Sequence, residues 1–161
     1  MSKKKKLGKI LVIIPARGNS KRLKNKNILP IKGLPMFLYV AQKIIKSKNK
    51  LRIIVSSENS KILKICKDNN IEFLKRPKYL SKDEIEKQDV IVHAIKYISK
   101  KENFFPKIII SLQTNTPQIN SNDLDKAIKF FKSIFVGKKI KEVFAIDKDN
   151  IKGIAVGGCL G

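Results

Sequence analysis

Five apolar runs rich in β-branched residues, at 10–14, 51–56, 71–74, 108–112 and 142–146, alternate with stretches of helical periodicity, and this alternation constrains the fold most. Pro35 is well placed as a first helical residue, and beyond it Phe37, Val40, Ala41, Ile44 and Ile45 share one helical face. Ile62, Ile65 and Cys66 share a second, Ile91, Ala94, Ile95 and Ile98 a third, and Leu124, Ala127, Ile128, Phe131 and Phe135 a fourth. Strands that are apolar throughout, each followed by an amphipathic helix, predict an α/β fold: an open, mostly parallel sheet with helices on both faces and right-handed crossovers.

In such sheets ligands bind beyond the carboxyl ends of the strands. The first run leads directly into the polar segment 15–27, Pro-Ala-Arg-Gly-Asn-Ser-Lys-Arg-Leu-Lys-Asn-Lys-Asn. Arg17, Lys21 and Lys26 can direct a planar fork and two ammonium groups at different oxygens of a polyphosphate. Gly18 permits close backbone approach or a positive φ, Ser20 can donate a hydroxyl, and Asn27 can read a base or sugar edge. Neither a Walker loop nor a Gly-x-Gly-x-x-Gly fingerprint occurs, so the two commonest nucleotide loops are excluded. Arg17 and Arg22 are two of only four arginines, which sets this segment apart from a surface that uses lysine everywhere else.

The net charge of +23 raises nucleic-acid binding as a rival function. Apart from Lys3 to Lys6, however, lysine is spread over every expected helix and loop, and arginine, the better base reader, is scarce. We therefore expect no nucleic-acid partner, while a positive field still attracts nucleoside triphosphates and acidic sugars. No apolar run reaches transmembrane length, so no membrane partner is expected and the cytoplasm is the expected compartment. Cys66 and Cys159 lack metal-ligand spacing, and His93 is the only histidine, so neither a histidine metal cluster nor a serine triad is expected. The 161 residues read as one domain, with a basic N-terminal tail at 1–8 and an irregular C-terminal tail at 147–161.

Segment 14–27 resembles the opening of the acylneuraminate cytidylyltransferases, I-P-A-R-G-G-S-K-x-x-x-x-K-N, with Asn19 in place of the second glycine. Further matches are Lys32-Gly33-Leu34-Pro35-Met36, Arg76-Pro77 with Leu80 and Ser81, Asp89-Val90 with His93-Ala94, and Leu112-Gln113 with Thr116-Pro117. Asn115 and Gln118-Ile119 depart from the family's L-Q-P-T-S-P-L-R. The resemblance implies a nucleotidyltransferase architecture and transfer of CMP from CTP to the anomeric hydroxyl of a nine-carbon acid sugar, with release of pyrophosphate. It also implies Mg2+ and a homodimer. Arg17 and Lys21 then take the catalytic charge, and Gly18, Ser20, Lys26, Asn27 and Arg76 join them on the nucleotide. Gln113 falls on the sugar side. The family's later metal-binding aspartate segment and dimer extension have no counterpart here, so a truncated or weakly active form is expected. Asp147 and Asp149 read as turn residues, and no metal ligand is assigned. The alternative is a noncatalytic nucleotide- or anion-binding domain derived from that family.

Overall fold

The computed structural model describes residues 10–20, 23–134, 142–147 and 150–154, with residue 134 and the last two stretches as backbone only. The tail at 1–8, Lys21, Arg22, Phe135, Asp149 and Cys159 lie outside the described residues. Six strands form one sheet in the order β5-β4-β1-β6-β7-β8. These are β1 (Ile10–Pro15), β4 (Leu51–Ser57), β5 (Glu72–Lys75), β6 (Ile108–Ser111), β7 (Glu142–Asp147) and β8 (Asn150–Ile154). All neighbours are parallel except β7 and β8.

Because successive side chains on a strand point to opposite faces, β1 feeds two cores. Ile10, Val12 and Ile14 pack with α1 (Met36–Ile44), α2 (Ser60–Asp68) and α4 (Ser121–Ile134). Leu11 and Ile13 pack on the other face with Ile91, Ala94, Ile95 and Ile98 of α3 (Lys87–Glu102). The expected layers are therefore present. Chain order runs outward from β1 through β4 to β5, then returns to β6 on the other side of β1. That reversal opens a crevice at the carboxyl ends of β1 and β6, the place where open α/β sheets bind ligands.

Three local features differ from the sequence reading. Ile45 is 55% exposed instead of lining the core, because α1 ends one residue earlier, at Ile44. Pro35 caps α1 instead of beginning it, since it also closes a short hairpin of β2 (Pro30–Ile31) and β3 (Leu34–Pro35). Lys32 and Gly33, at φ of 49° and 80°, supply the paired positive φ values of a two-residue hairpin turn. Thirdly, the stretch 147–161, expected to be irregular, contains β8, whose register with β7 pairs Asp147 with Asn150. Its sequence hides the strand because Asn150 and Gly153, both poor strand formers, interrupt the apolar pattern.

Two helix starts are set by side chains, those of α2 and α4. Asn59 Oδ1 accepts the N–H groups of Lys61 and Ile62 at the start of α2. At the start of α4, Asn120 Oδ1 accepts from Asp123 N while Asp123 Oδ2 accepts from Asn120 N, a reciprocal capping box.

Candidate functional site

Three strand ends shape the crevice. β1 continues into the loop through Ala16, whose N–H donates to Ser56 O on β4 at 2.9 Å. Leu112, just past β6, donates its N–H to Ile13 O on β1 at 2.9 Å. Arg76, just past β5, donates its N–H to Ser57 O at 3.0 Å. The loops after β1, β4, β5 and β6 thus leave the sheet together.

Gly18 lies against the start of α2. A Cβ placed there would sit 2.3 Å from Asn59 Nδ2 and 2.9 Å from Asn59 Cβ, so only glycine fits without displacement. Its N–H donates to Glu58 Oε1 at 2.7 Å. The other oxygen of Glu58 accepts Ser81 Oγ at 2.6 Å and Arg76 Nη2 and Nε at 3.1 and 3.2 Å. Arg76 Nε also donates to Ser81 Oγ at 3.0 Å. Burial of Glu58 works to raise its pKa, but the hydrogen bonds from Ser81 and Gly18 and the charge of Arg76 outweigh it and hold the carboxyl below the usual glutamate range.

The far end of the loop is fastened by Asn27, which is buried. Its Nδ2 donates to Arg17 O at 2.8 Å, and its Oδ1 accepts the hydroxyl of Thr114 in the loop after β6. Asn25, at φ 56°, turns the chain into the single 3-10 turn Lys26–Ile28 that presents Asn27 inward. The loop after β6 is steadied in turn by Lys43 of α1, whose Nζ donates to Pro117 O at 2.7 Å, and by Thr116 Oγ1 donating to Gln113 O at 2.9 Å.

Of the residues singled out in the sequence, Arg17 remains partly open to solvent, with its guanidinium 2.7 Å from Asp83. Gly18 is buried, and Ser20, Lys26 and Gln113 are half-buried. Lys21, assigned with Arg17 to the catalytic charge, lies outside the described residues. Arg76 and Asn27 are placed differently from the expectation. Only 3% of the Arg76 side chain is exposed and its guanidinium is turned into Glu58, while both ends of the Asn27 amide meet protein partners. The sequence reading missed Glu58, Asp83 and Thr114. Glu58 sits at the carboxyl end of β4, where strand geometry alone points to a site, but the neighbouring Ser57-Glu58-Asn59-Ser60 suggests only a helix cap.

On the α3 side, the buried Nδ1 of His93 and Oγ of Ser56 have no hydrogen-bond partner. Burial, aided by the charge of Arg76, pushes the His93 pKa down, so the ring is neutral near pH 7. Among the described residues no three His, Cys, Asp or Glu side chains converge as a metal site. The carboxylates beside the loop, Glu58 and Asp83, are engaged by Arg76, Ser81, Gly18 and Arg17. Both carboxylates thus have protein partners, and no ligand for the magnesium that the resemblance implies is assigned among the described residues. Nor is any described helix long and apolar enough to cross a membrane.

A family model described as "Cytidylyltransferase" matches residues 11–136. The N-acylneuraminate cytidylyltransferase of Escherichia coli O18:K1:H7 is 28% identical over 142 residues, which cover 88% of this chain and 32% of that protein. The 3-deoxy-manno-octulosonate cytidylyltransferase of Wigglesworthia glossinidia brevipalpis is 33% identical over 133 residues, 82% of this chain and 47% of that one. The chain thus spans less than half the length of either curated relative. Among solved structures, a CMP:2-keto-3-deoxy-manno-octonic acid synthetase complexed with CTP superposes with a TM-score of 0.64 at 21% identity. The superposition covers 77% of this chain and 47% of that one, and supports the fold.

Proposed function

Since this chain belongs to the cytidylyltransferase family, we propose that its crevice binds CTP and that the polypeptide transfers CMP to an acid sugar. The anomeric hydroxyl of the sugar attacks the α-phosphorus, the bond to the bridging oxygen breaks, pyrophosphate leaves in line, and the hydroxyl proton passes to solvent or a nearby base. The protein's share is positioning and charge compensation at the α-phosphate and leaving group. We assign that charge to Arg17 and Lys21, with Ser20 and Lys26 holding phosphate oxygens. Gln113 is placed on the sugar side. Family relatives are named for neuraminate and for octulosonate, so we take the nine-carbon acid sugars as the first substrates to test and the eight-carbon ones as the second.

The single observation that carries this reading is the fastening of the loop after β1 at Gly18 to Glu58, just past β4, and at Asn27 to Thr114, past β6, around an Arg17 whose guanidinium stays partly exposed. A loop held in place before the ligand arrives presents its donors without a further ordering cost.

The test is a thermal melt with CTP, ATP or UTP, on the natural chain and on Lys21→Ala, followed by pyrophosphate release with a panel of acid sugars. A CTP-selective rise in melting temperature that Lys21→Ala loses is expected, because a ligand specific to the native state stabilises it. A cooperative melt that CTP leaves unmoved would exclude the nucleotide reading. Selective CTP binding without pyrophosphate release for any sugar would instead identify a noncatalytic nucleotide-binding domain.

A further inference from the structure

We propose that Glu58 is the positioning residue of the nucleotide loop, and that Arg76 acts on the nucleotide only through Glu58. The inference rests on the CTP-binding reading above and names the group that gives the loop its shape. Glu58 stands just past β4, which pairs with β1 as far as Ser56 and with β5 as far as Ser57, so its backbone is fixed relative to the sheet. One carboxylate oxygen takes the Gly18 N–H, the amide adjoining Arg17, and the other takes the guanidinium of Arg76 and the hydroxyl of Ser81. The loop after β1 and the segment after β5 are therefore tied to a single side chain.

Two consequences follow from the geometry. Loop amides that bind phosphate normally point at it, yet the Gly18 amide is already taken by a carboxylate, which leaves the ligand to side chains and other amides. The peptide unit that follows Arg17 is then held on both its edges, its N–H by Glu58 and its C=O by Asn27, and this sets the direction in which Arg17 leaves the loop. The Arg76 side chain, 3% exposed and spent on Glu58 and Ser81, keeps that carboxylate charged and aimed. A glutamine at 58 cannot replace it. It offers a single oxygen, so it can serve Gly18 or the Arg76–Ser81 pair but not both, and its amide nitrogen meets a donor in either orientation.

The experiment compares the natural chain with Glu58→Gln, Arg76→Gln and the double variant. It reads the dissociation constant for CTP and the NMR resonance of the Gly18 amide proton, on samples whose cooperative melt shows that they are folded. The charge-assisted bond puts the Gly18 proton downfield in the natural chain. Glu58→Gln is expected to move it upfield and to weaken CTP by about tenfold, the scale of one charge-assisted hydrogen bond. Arg76→Gln should move the same resonance and weaken CTP less, with the double variant no worse than Glu58→Gln alone. Unchanged CTP affinity in Glu58→Gln, an unmoved Gly18 proton, or losses that add in full across the two positions would overturn the inference. Full additivity would mean that Arg76 touches the ligand itself. If Glu58→Gln does not fold, Glu58→Asp replaces it. That carboxylate stays near Arg76 but withdraws from Gly18, so CTP affinity and the Gly18 shift should fall while the melting temperature holds. A natural chain that ignores CTP would refute the proposed function, whereas the Gly18 resonance would still report whether Glu58 fixes the loop.

Discussion

Asn27 Nδ2 donates to the carbonyl of Arg17 at 2.8 Å, and the two residues close the loop after β1 upon itself. Thr114, reaching from the loop after β6, completes the bridge by donating to Asn27 Oδ1. A side chain first read as a cytidine contact therefore joins both loops of the crevice. Asn27→Asp exchanges the amide donor for a carboxylate facing a carbonyl, which leaves a buried acceptor without its partner. The expected loss is about 1–3 kcal/mol of stability, measured by urea denaturation. Asn27→Asp should also weaken CTP, since it frees the backbone of Arg17.

At Gly18 the constraint is space. An added methyl would meet Asn59 Cβ at 2.9 Å and its amide at 2.3 Å, so Gly18→Ala must push the loop away from α2. The expected cost is about 1–3 kcal/mol, typical of overpacking. Gly18→Ala combined with Asn59→Gly removes both contacts, and should recover part of the CTP affinity despite the weaker cap on α2. No recovery in the double variant would mean that Gly18 is required for something other than its fit against Asn59.

What could be read from the sequence divides along a physical line. The layers, the parallel strands and the position of the loop follow from periodicity, and each is present: the buried run at β1, the stripes on α1 and α3, and the crevice at the reversal of strand order. The partnerships do not follow from periodicity. Glu58 and Gly18 are 40 residues apart, and Thr114 and Asn27 are 87 apart. Such pairs are made by strand order and register, which no local pattern encodes. Arg76 shows the limit most clearly: its place after β5 was legible, but the direction of its guanidinium depended on a carboxylate from a neighbouring strand.

Acid should destabilise this protein in two steps. Burial, with Arg76 nearby, depresses the His93 pKa from its ordinary 6.5, so the unfolded chain takes up that proton first and stability declines as pH falls below about 6.5. The Glu58 pKa is depressed as well, so its contribution is complete above the ordinary glutamate pKa of about 4.3 and is lost as pH falls through the lower, folded value. Urea midpoints measured from about pH 8 down to about pH 2 should trace both limbs. His93→Gln should flatten the upper limb alone, and an upper limb that survives this substitution would assign it to another group.

Arg17 meets Asp83 at 2.7 Å across two partly exposed side chains, so a carboxylate stands against the cation assigned to phosphate. A nucleotide that uses Arg17 must displace that carboxylate, and exposed pairs of this kind are worth about 0.2–1 kcal/mol. Asp83→Asn removes the competitor and a negative charge beside the triphosphate, and should tighten CTP by roughly two- to fivefold at moderate salt. The gain should shrink as ionic strength rises, because these groups are within reach of screening ions. It should also vanish on an Arg17→Gln background. A change toward tighter binding is not open to the objection that the variant is merely damaged, which makes calorimetric titration of Asp83→Asn a direct test of Arg17. Unaltered affinity would mean that the phosphates do not use the guanidinium that Asp83 holds. A gain persisting without Arg17 would instead trace the effect to the general field of the crevice.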